Sequence, residues 1–156
     1  MDQLLIALGS NLGTKKKNLE IAKNLIVDQV GKILATSNEY ITEPVGAADQ
    51  KFLNAVILIE THHSPLECLE SLLKIEQEMG RVRKERWGNR NIDLDILLWR
   101  DKSGAAICHQ EARLTIPHQH MHKRLFVLDP ACDIAPEWIH PVLHLSLNEL
   151  RLKLLQ

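Results

Sequence analysis

The alternation of hydrophobic and polar positions divides the chain, as far as Trp99, into six elements. Short apolar runs predict strands over 3–8, 33–42, 52–60 and 92–99. Apolar residues three and four positions apart predict helices over 15–30 and from 65 to about 80. The resulting order, β-α-β-β-α-β, predicts an α+β fold with a ferredoxin-like core, in which an antiparallel sheet carries both helices on one face.

Local signals mark the ends of the two predicted helices. Thr14 stands where it can cap the first helix, and Gly31 follows its last apolar position. Ser64, Pro65 and Glu67 combine an N-cap residue, a proline in the first turn and a capping-box glutamate. These residues predict a sharp start for the second helix.

Beyond Trp99 the pattern is less regular. It predicts a turn over 101–104, a short strand over 113–116, a helix over 120–128 and an amphipathic helix over 145–155. We expect these added elements to cover the second face of the antiparallel sheet or to extend its edge. The length of 156 residues is that of one domain, and we assign residues 1–156 to it.

Composition narrows the class of protein. The chain is 45% hydrophobic and 25% charged with a net charge of −1, which is typical of a globular protein and not of a general polyanion binder. Its three cysteines, Cys68, Cys108 and Cys132, form no C-x-x-C pair, so neither a disulfide framework nor a zinc knuckle is indicated. There is no basic leader and no apolar run of about 20 residues. We therefore expect a cytoplasmic protein that binds neither membranes nor nucleic acid.

A cationic segment followed by two aspartates carries the strongest chemical signal. Asp93 and Asp95 lie two positions apart in a predicted strand, so both carboxylates share one face about 7 Å apart, and Ile92, Leu94 and Ile96 face the other way. Such a pair repels itself unless a cation lies between, and Mg²⁺ prefers oxygen ligands of this kind. The cations that precede the pair are Arg81, Arg83, Lys84, Arg86 and Arg90. Because arginine pairs with phosphate oxygens, the combination predicts a metal–polyphosphate site, although either half alone is usually a solvated surface.

Two other segments are open to more than one interpretation. The run from Gly9 to Thr14 departs from the P-loop spacing. It is interpreted as a turn and helix cap in preference to a phosphate-binding loop. His118 and His122 have a zinc-type spacing in a helix, but the flanking Arg113 and Arg124 favour a structural or phosphate-facing role.

Aromatic residues are scarce in this chain, so each is informative. Phe52 and Asn54 share one face of a predicted strand, where they could hold a flat heterocycle, although most strand phenylalanines are simply core. Trp87 lies in the charged loop and is interpreted as an aromatic lid on a nucleotide.

Taken together, these segments resemble the 6-hydroxymethyl-7,8-dihydropterin pyrophosphokinase family of the folate pathway. The matching motifs run in order from residue 7 to 136: ALGSNLG at 7–13, YITEPVG at 40–46, DQ at 49–50, FLNAV at 52–56, GRVR at 80–83, RWG at 86–88, Arg90, DLDI at 93–96, LTIPH at 114–118, RLFVL at 124–128 and IAP at 134–136. Asn89 departs from the family pattern, which usually has proline there.

The resemblance implies an Mg-ATP-dependent transfer of pyrophosphate to the pterin hydroxymethyl group, with AMP as the second product. It implies that Asp93 and Asp95 hold two Mg²⁺ ions and, with Arg81 and Arg90, form the catalytic group, the two arginines being brought in as their loop closes. The residues implied for ATP are Glu76, Arg83, Trp87, Ile96, Arg113, Thr115, His118 and Arg124. Those implied for the pterin are Thr42, Pro44, Val45, Phe52, Asn54 and Phe126. We expect a monomer whose partners are ATP and 6-hydroxymethyl-7,8-dihydropterin.

Two rival functions come from other classes of protein. An RNA-binding ferredoxin-like module is opposed by the near-neutral charge, the few aromatics and the aspartate pair, which repels phosphate without metal. A non-catalytic nucleotide-binding homologue is opposed by the retained aspartates and arginines.

Overall fold

The structure is a computed structural model that describes residues 1–44, 50–80 and 91–156. Its strands and helices follow in the order β1 (Asp2–Ser10), α1 (Lys15–Gln29), β2 (Lys32–Thr36), β3 (Tyr40–Thr42), β4 (Phe52–Thr61), α2 (Pro65–Glu78), β5 (Asp93–Arg100), β6 (His109–Gln110), β7 (Thr115–Ile116), α3 (Leu125–Ile134) and α4 (Leu147–Leu154). A turn of 3-10 helix, Met121–Lys123, precedes α3. In these described ranges, no helix is long and apolar enough to cross a membrane.

The main sheet has the strand order β2-β4-β1-β5, and β3 also pairs with β4. Every pairing is antiparallel. The predicted α+β class is confirmed. The order β-α-β-β-α-β holds when β2 and β3 are taken as the two parts of the one strand predicted over 33–42, and the strand order is consistent with a ferredoxin-like core. The order places β1, the first strand in sequence, between β4 and β5.

The sheet separates two hydrophobic clusters because side chains alternate along β1. Leu4, Ile6 and Leu8 are buried against α1 and α2, together with Trp99 from β5. Leu5 faces the other way, into a second cluster that the C-terminal helices α3 and α4 close. Helices α3 and α4 therefore cover the second face, as one of the two sequence-based alternatives predicted, whereas Leu114 and Ile116 at β7 join the first cluster.

A bulge in β5 separates its polar end from its apolar end. Leu5 pairs with Leu98 and Ile6 with Ile96, so Leu97 is an extra residue in the ladder. Leu97 and Leu98 both join the cluster beneath α3 and α4. The face of β5 that carries the aspartates is therefore part of a packed core from Leu97 onward.

The strand predicted over 33–42 is interrupted, which corrects the sequence-based prediction. Thr36 pairs with Ile57 and Tyr40 with Asn54, so one extra residue lies between β2 and β3. Ser37 fills the break: its N–H donates to the Val56 carbonyl at 2.9 Å, and its Oγ accepts from the Val56 N–H at 2.8 Å. A side-chain hydroxyl here replaces a backbone acceptor, which hydrophobic periodicity cannot reveal.

Two other boundaries differ from the prediction, and one predicted cap lacks its side-chain hydrogen bond. The helix predicted over 120–128 is a 3-10 turn followed by α3, which extends to Ile134. The strand predicted over 113–116 is reduced to β7, which pairs with β6, a strand that was not predicted. Thr14 occupies the N-cap of α1 but its side chain makes no capping hydrogen bond, whereas the Ser64 and Glu67 capping box is present.

Candidate active site

A pocket of about 210 Å³ opens over the end of β1, between β4 and β5 on one side and the start of α3 on the other. Asn54 and Asp93 lie opposite Gly9 from the two sides, and Asp95 lies opposite Ala7. The pocket is lined by Ala7, Leu8, Gly9, Thr42, Glu43, Phe52, Asn54, Ala55, Asp93, Asp95, Leu97, His118, Arg124, Phe126 and Val127. The pocket therefore has an acidic side with Asp93 and Asp95 and an aromatic side with Phe52 and Phe126. Ala7 and Gly9 of β1 form the floor between them.

Gly9 keeps that floor low. A Cβ built on it would lie 3.2 Å from Asn54 Oδ1 and 3.7 Å from Phe52 Cδ1. The first distance is tighter than nine in ten real Cβ contacts, so a side chain at this position would require the amide to shift by a few tenths of an ångström. The absence of a side chain lets Asn54 Oδ1 lie directly over the strand.

The amide of Asn54 is held in one orientation. Its Nδ2 donates to Thr42 Oγ1 at 2.8 Å, across the pair formed by β3 and β4. Asn54 is 7% exposed, so its remaining polar capacity faces the pocket and not bulk water. The arrangement offers a fixed carbonyl oxygen and one amide hydrogen to a flat polar ligand.

Two phenylalanines and an arginine complete this side. Phe52 lies on β4 next to the floor, and Phe126 reaches the pocket from the first turn of α3. The Arg124 guanidinium carbon lies 5.6 Å from the centre of the Phe126 ring, within cation–π range. Arg124 therefore brings a positive charge to the junction of the aromatic and acidic sides.

Asp93 and Asp95 form the acidic side as the sequence predicts, with both side chains on the pocket face of β5. Ile92, Leu94 and Ile96 are buried in the opposite cluster. A rigid strand presenting two partly buried carboxylates suits a hard divalent cation that takes its remaining oxygen ligands from a substrate. The donor set thus fits Mg²⁺.

His118 faces the acidic side and is neutral at neutral pH. Burial, together with the charge of Arg124, lowers its pKa from 6.5 to about 4. Its Nδ1 accepts from the His120 N–H at 3.2 Å, which leaves the ring proton on Nε2. His118 can therefore donate one hydrogen bond to an anionic ligand without carrying a charge.

The edge of β5 that faces away from β1 lies beside the pocket. Glu76 on α2 is 3% exposed, and its Oε2 accepts from the Leu94 N–H at 2.8 Å. The His118 N–H reaches the same edge and donates to the Leu97 carbonyl at 2.9 Å. The Leu94 N–H therefore points away from β1. Because backbone N–H groups alternate in direction along a strand, the N–H of Ile96, two positions further along, also points away from β1.

Comparison with known proteins identifies this arrangement. The family model for 7,8-dihydro-6-hydroxymethylpterin-pyrophosphokinase (HPPK) matches residues 5–136. The chain belongs to the HPPK family. As a member, it is a pyrophosphokinase of folate biosynthesis, so the resemblance and the function predicted from the sequence are confirmed.

Individual relatives agree with the HPPK family model. The chain is 46% identical over 138 residues to the 2-amino-4-hydroxy-6-hydroxymethyldihydropteridine pyrophosphokinase of Haemophilus influenzae, covering 87% of this chain and 83% of the relative. It is 40% identical to the Pseudomonas aeruginosa protein of the same name, covering 88% and 83%. The folic acid synthesis protein fol1 of Schizosaccharomyces pombe matches at 40% identity over 92% of this chain but only 19% of its own length.

A solved structure shares the fold. The Plasmodium falciparum HPPK-DHPS A437G structure with SDX-DHP has a TM-score of 0.76 and 20% identity, and it covers 97% of this chain. This chain spans 45% of that structure's chain, so the comparison concerns the fold of one part of it. With the family established, the RNA-binding interpretation is not favoured.

The pocket gathers most of the described residues that the HPPK resemblance singles out. It brings together Thr42, Phe52, Asn54, Asp93, Asp95, His118, Arg124 and Phe126. Glu76 and Thr115 lie outside it, on α2 and β7. Pro44 is described but does not line the pocket, and Arg81, Arg83, Trp87, Arg90 and Val45, with the loop expected to close over ATP, lie outside the described residues.

Two residues expected at the ATP site are placed differently from the rest. The Ile96 side chain is 5% exposed and lies in the cluster beneath α1 and α2, because its parity on β5 is opposite to that of the aspartates. The Arg113 side chain is largely exposed, and its Nη1 lies 3.8 Å from Glu70 Oε1. Any contact of Ile96 with a nucleotide would be made by its backbone at the edge of β5.

Sequence reasoning missed the floor and the back of the pocket. Ala7, Gly9 and Leu97 line it, yet the sequence analysis placed Gly9 in the turn after β1. The available signal was the alternation that continues from Leu5 through Ala7 to Gly9, which predicts a face of diminishing side-chain size. The zinc interpretation of the histidines has no geometric support, since residues 1–44, 50–80 and 91–156 contain no group of three or more metal-ligating side chains.

Proposed function

We propose that the chain transfers the pyrophosphoryl group of Mg-ATP to the hydroxymethyl group of 6-hydroxymethyl-7,8-dihydropterin and releases AMP. One observation carries the proposal at the level of residues: Asp93 and Asn54 lie on either side of Gly9 in the same pocket. A metal–phosphate subsite and a heterocycle subsite are thereby adjacent, as a transfer between two bound substrates requires.

The aromatic side suits the pterin. Its flat ring would lie between Phe52 and Phe126, and the fixed amide of Asn54 would pair with its polar edge. Thr42 acts on the ring through Asn54, because it accepts one amide hydrogen and so fixes where the other points. An analogue without matching donors and acceptors would leave the buried amide unpaired, which costs about 1–3 kcal/mol.

The acidic side and the edge of β5 suit ATP. Two Mg²⁺ ions held by Asp93 and Asp95 would neutralise phosphate charge and lower the pKa of the attacking hydroxyl. His118 and Arg124 lie where they can donate to phosphate oxygens, one as a neutral donor and one as a cation. Glu76 supports the purine end by fixing the Leu94 backbone, and the neighbouring Ile96 backbone then offers a donor and an acceptor at the edge.

The reaction needs positioning more than covalent chemistry by the protein. The hydroxyl oxygen attacks the β-phosphorus, the bond from that phosphorus to the oxygen bridging the α-phosphorus breaks, and AMP leaves with the bond electrons. The hydroxyl proton would pass to solvent or to Asp95, which lines the pocket on the same strand as Asp93. Arg124 would offset charge that builds on the transferred group.

The test is the formation of AMP by the purified chain with ATP, saturating Mg²⁺ and the pterin. Asp95→Ala is expected to abolish turnover and leave pterin binding, followed by calorimetry, within about threefold of the parent. Asp28→Ala, on the exposed side of α1, is the matched control and should leave both unchanged. ADP in place of AMP, or near-parent turnover of Asp95→Ala, would contradict the proposal, and tight ATP binding without turnover would favour a nucleotide-binding homologue.

A further inference from the structure

A hydrogen-bonded link outside the pocket joins the two elements that form its aromatic side. Tyr40 Oη donates to Asp133, 2.9 Å from each carboxylate oxygen, and the Asn38 N–H donates to Asp133 Oδ2 at 3.1 Å. One carboxylate on α3 thus holds both the bend before β3 and the first residue of β3. Neither Tyr40 nor Asp133 lines the pocket.

The link runs beside the proposed pterin slot. On β3, Thr42 lies two residues after Tyr40, on the same face and about 7 Å further along the strand. On α3, Asp133 lies seven residues after Phe126, which is two turns along the same side of the helix. The distance from Tyr40 to Asp133 at one end therefore governs the distance from the strand with Thr42 to the helix with Phe126 at the other.

β3 needs such an anchor. It has three residues, it pairs with β4 after the bulge at Ser37, and it carries the hydroxyl that orients Asn54. Three ladder positions fix the register of β3 but hold its position against α3 only weakly, so a separate contact to the helix has a geometric role.

We propose that Tyr40 and Asp133 are positioning residues that set the width of the pterin slot by holding β3 at a fixed distance from α3. The proposal rests on the function proposed above, and it assigns a role in substrate affinity to a pair that touches neither substrate. The pair is solvent-accessible, so its contribution to global stability is small, and its effect is expected on the pterin site.

The matched control lies one turn earlier on the same helix. Asp129 Oδ1 accepts from Arg151 Nε at 2.7 Å, which ties α3 to α4 and not to β3. Asp129→Asn therefore weakens a comparable carboxylate contact of α3 without releasing β3. Asp133→Asn is the conservative variant, because an amide oxygen can still accept from Tyr40 Oη.

The experiment measures kcat and the two KM values of full-length Tyr40→Phe, Asp133→Ala, Asp133→Asn and Asp129→Asn, with melting temperatures. Tyr40→Phe and Asp133→Ala are expected to raise the pterin KM about three- to tenfold, the range of one net hydrogen bond, with kcat and the ATP KM within twofold. The double variant Tyr40→Phe/Asp133→Ala should be no worse than Asp133→Ala alone. Asp133→Asn and Asp129→Asn should remain within twofold of the parent.

Two results would overturn the proposal. One is a pterin KM within twofold of the parent in both Tyr40→Phe and Asp133→Ala. The other is a parallel loss of kcat and of both affinities that follows the melting temperature, which indicates a merely structural contact. Failure of the parent itself to form AMP would instead refute the proposed function, so the two failures are distinguishable.

Discussion

Adding one methyl group to the floor of the pocket tests the site most directly. Gly9→Ala places a Cβ 3.2 Å from Asn54 Oδ1 and 3.7 Å from Phe52 Cδ1. Gly9 lies within β1, in register with Asn54 and Asp93, so alanine should keep the backbone pairing. The change is therefore expected to act on the amide and on the space for the ligand, with the fold retained.

The size of the effect follows from local overpacking. Inserting a methyl group into a packed site typically costs about 1–3 kcal/mol, because neighbouring side chains leave their preferred positions. In the free protein Asn54 can relax toward the empty pocket, whereas a bound pterin removes that freedom. Most of the penalty then falls on the complex, and the pterin affinity should drop about five- to 150-fold.

The assay is calorimetric titration of the pterin in the presence of Mg²⁺ and a non-hydrolysable ATP analogue, with a thermal melt of each variant. Gly13→Ala is the control: Gly13 has a φ of 71°, and among the described residues the nearest atom to a Cβ there is Asn18 Nδ2 at 3.8 Å. It should lose about 1–2 kcal/mol of stability through backbone strain and retain pterin affinity. A Gly9→Ala protein that binds the pterin within twofold of the parent would refute the reasoning about the floor.

Three further outcomes are expected. The lowered pKa of His118, about 4 against 6.5, means that the contribution of neutral His118 to folding stability is fully present above pH 6.5 and is lost as pH falls toward 4. His118→Gln should therefore melt with a shallower pH dependence in a chelator-treated sample, and an unchanged slope would count against the burial argument. Glu76→Leu leaves the Leu94 N–H without its acceptor and should destabilise the fold by about 1–3 kcal/mol in denaturant titrations, with Glu76→Gln losing less; equal losses would contradict this role. Gly31→Ala would drive a Cβ into the Glu60 carbonyl oxygen and should lower the melting temperature by at least about 6 °C, and a smaller loss would show that the α1–β2 junction can shift.

The sequence predicts those parts of the site in which the side-chain direction follows from a residue's position in the alternation of a strand. Asp93 and Asp95 share a face because a strand alternates, and no tertiary information is needed for that inference. Phe52 and Asn54 follow the same rule on β4. The capping box at Ser64 is equally local, and it is present.

The parts that were missed depend on contacts between distant segments. The break at Ser37 exists because a hydroxyl bonds to the Val56 backbone, and its residue type alone does not reveal that partner. β6 and β7 have two residues each, too few to produce a periodic pattern. The role of Gly9 becomes visible only once β4 and β5 are placed on either side of it.

The central position of β1 also bears on how the protein is made. Of these strands β1 is synthesised first, yet it acquires its second neighbour only when β5 has emerged. Helix α3, which forms the remaining side of the pocket, follows later in the chain. Because pairing between strands far apart in sequence is slow, we expect the β1–β5 pairing that brings Asp93 to Gly9 to form late. Until then one edge of β1, with an apolar run beside it, is open to wrong partners on other chains. Ligand binding, which needs the completed site, can then protect only chains that have completed the sheet.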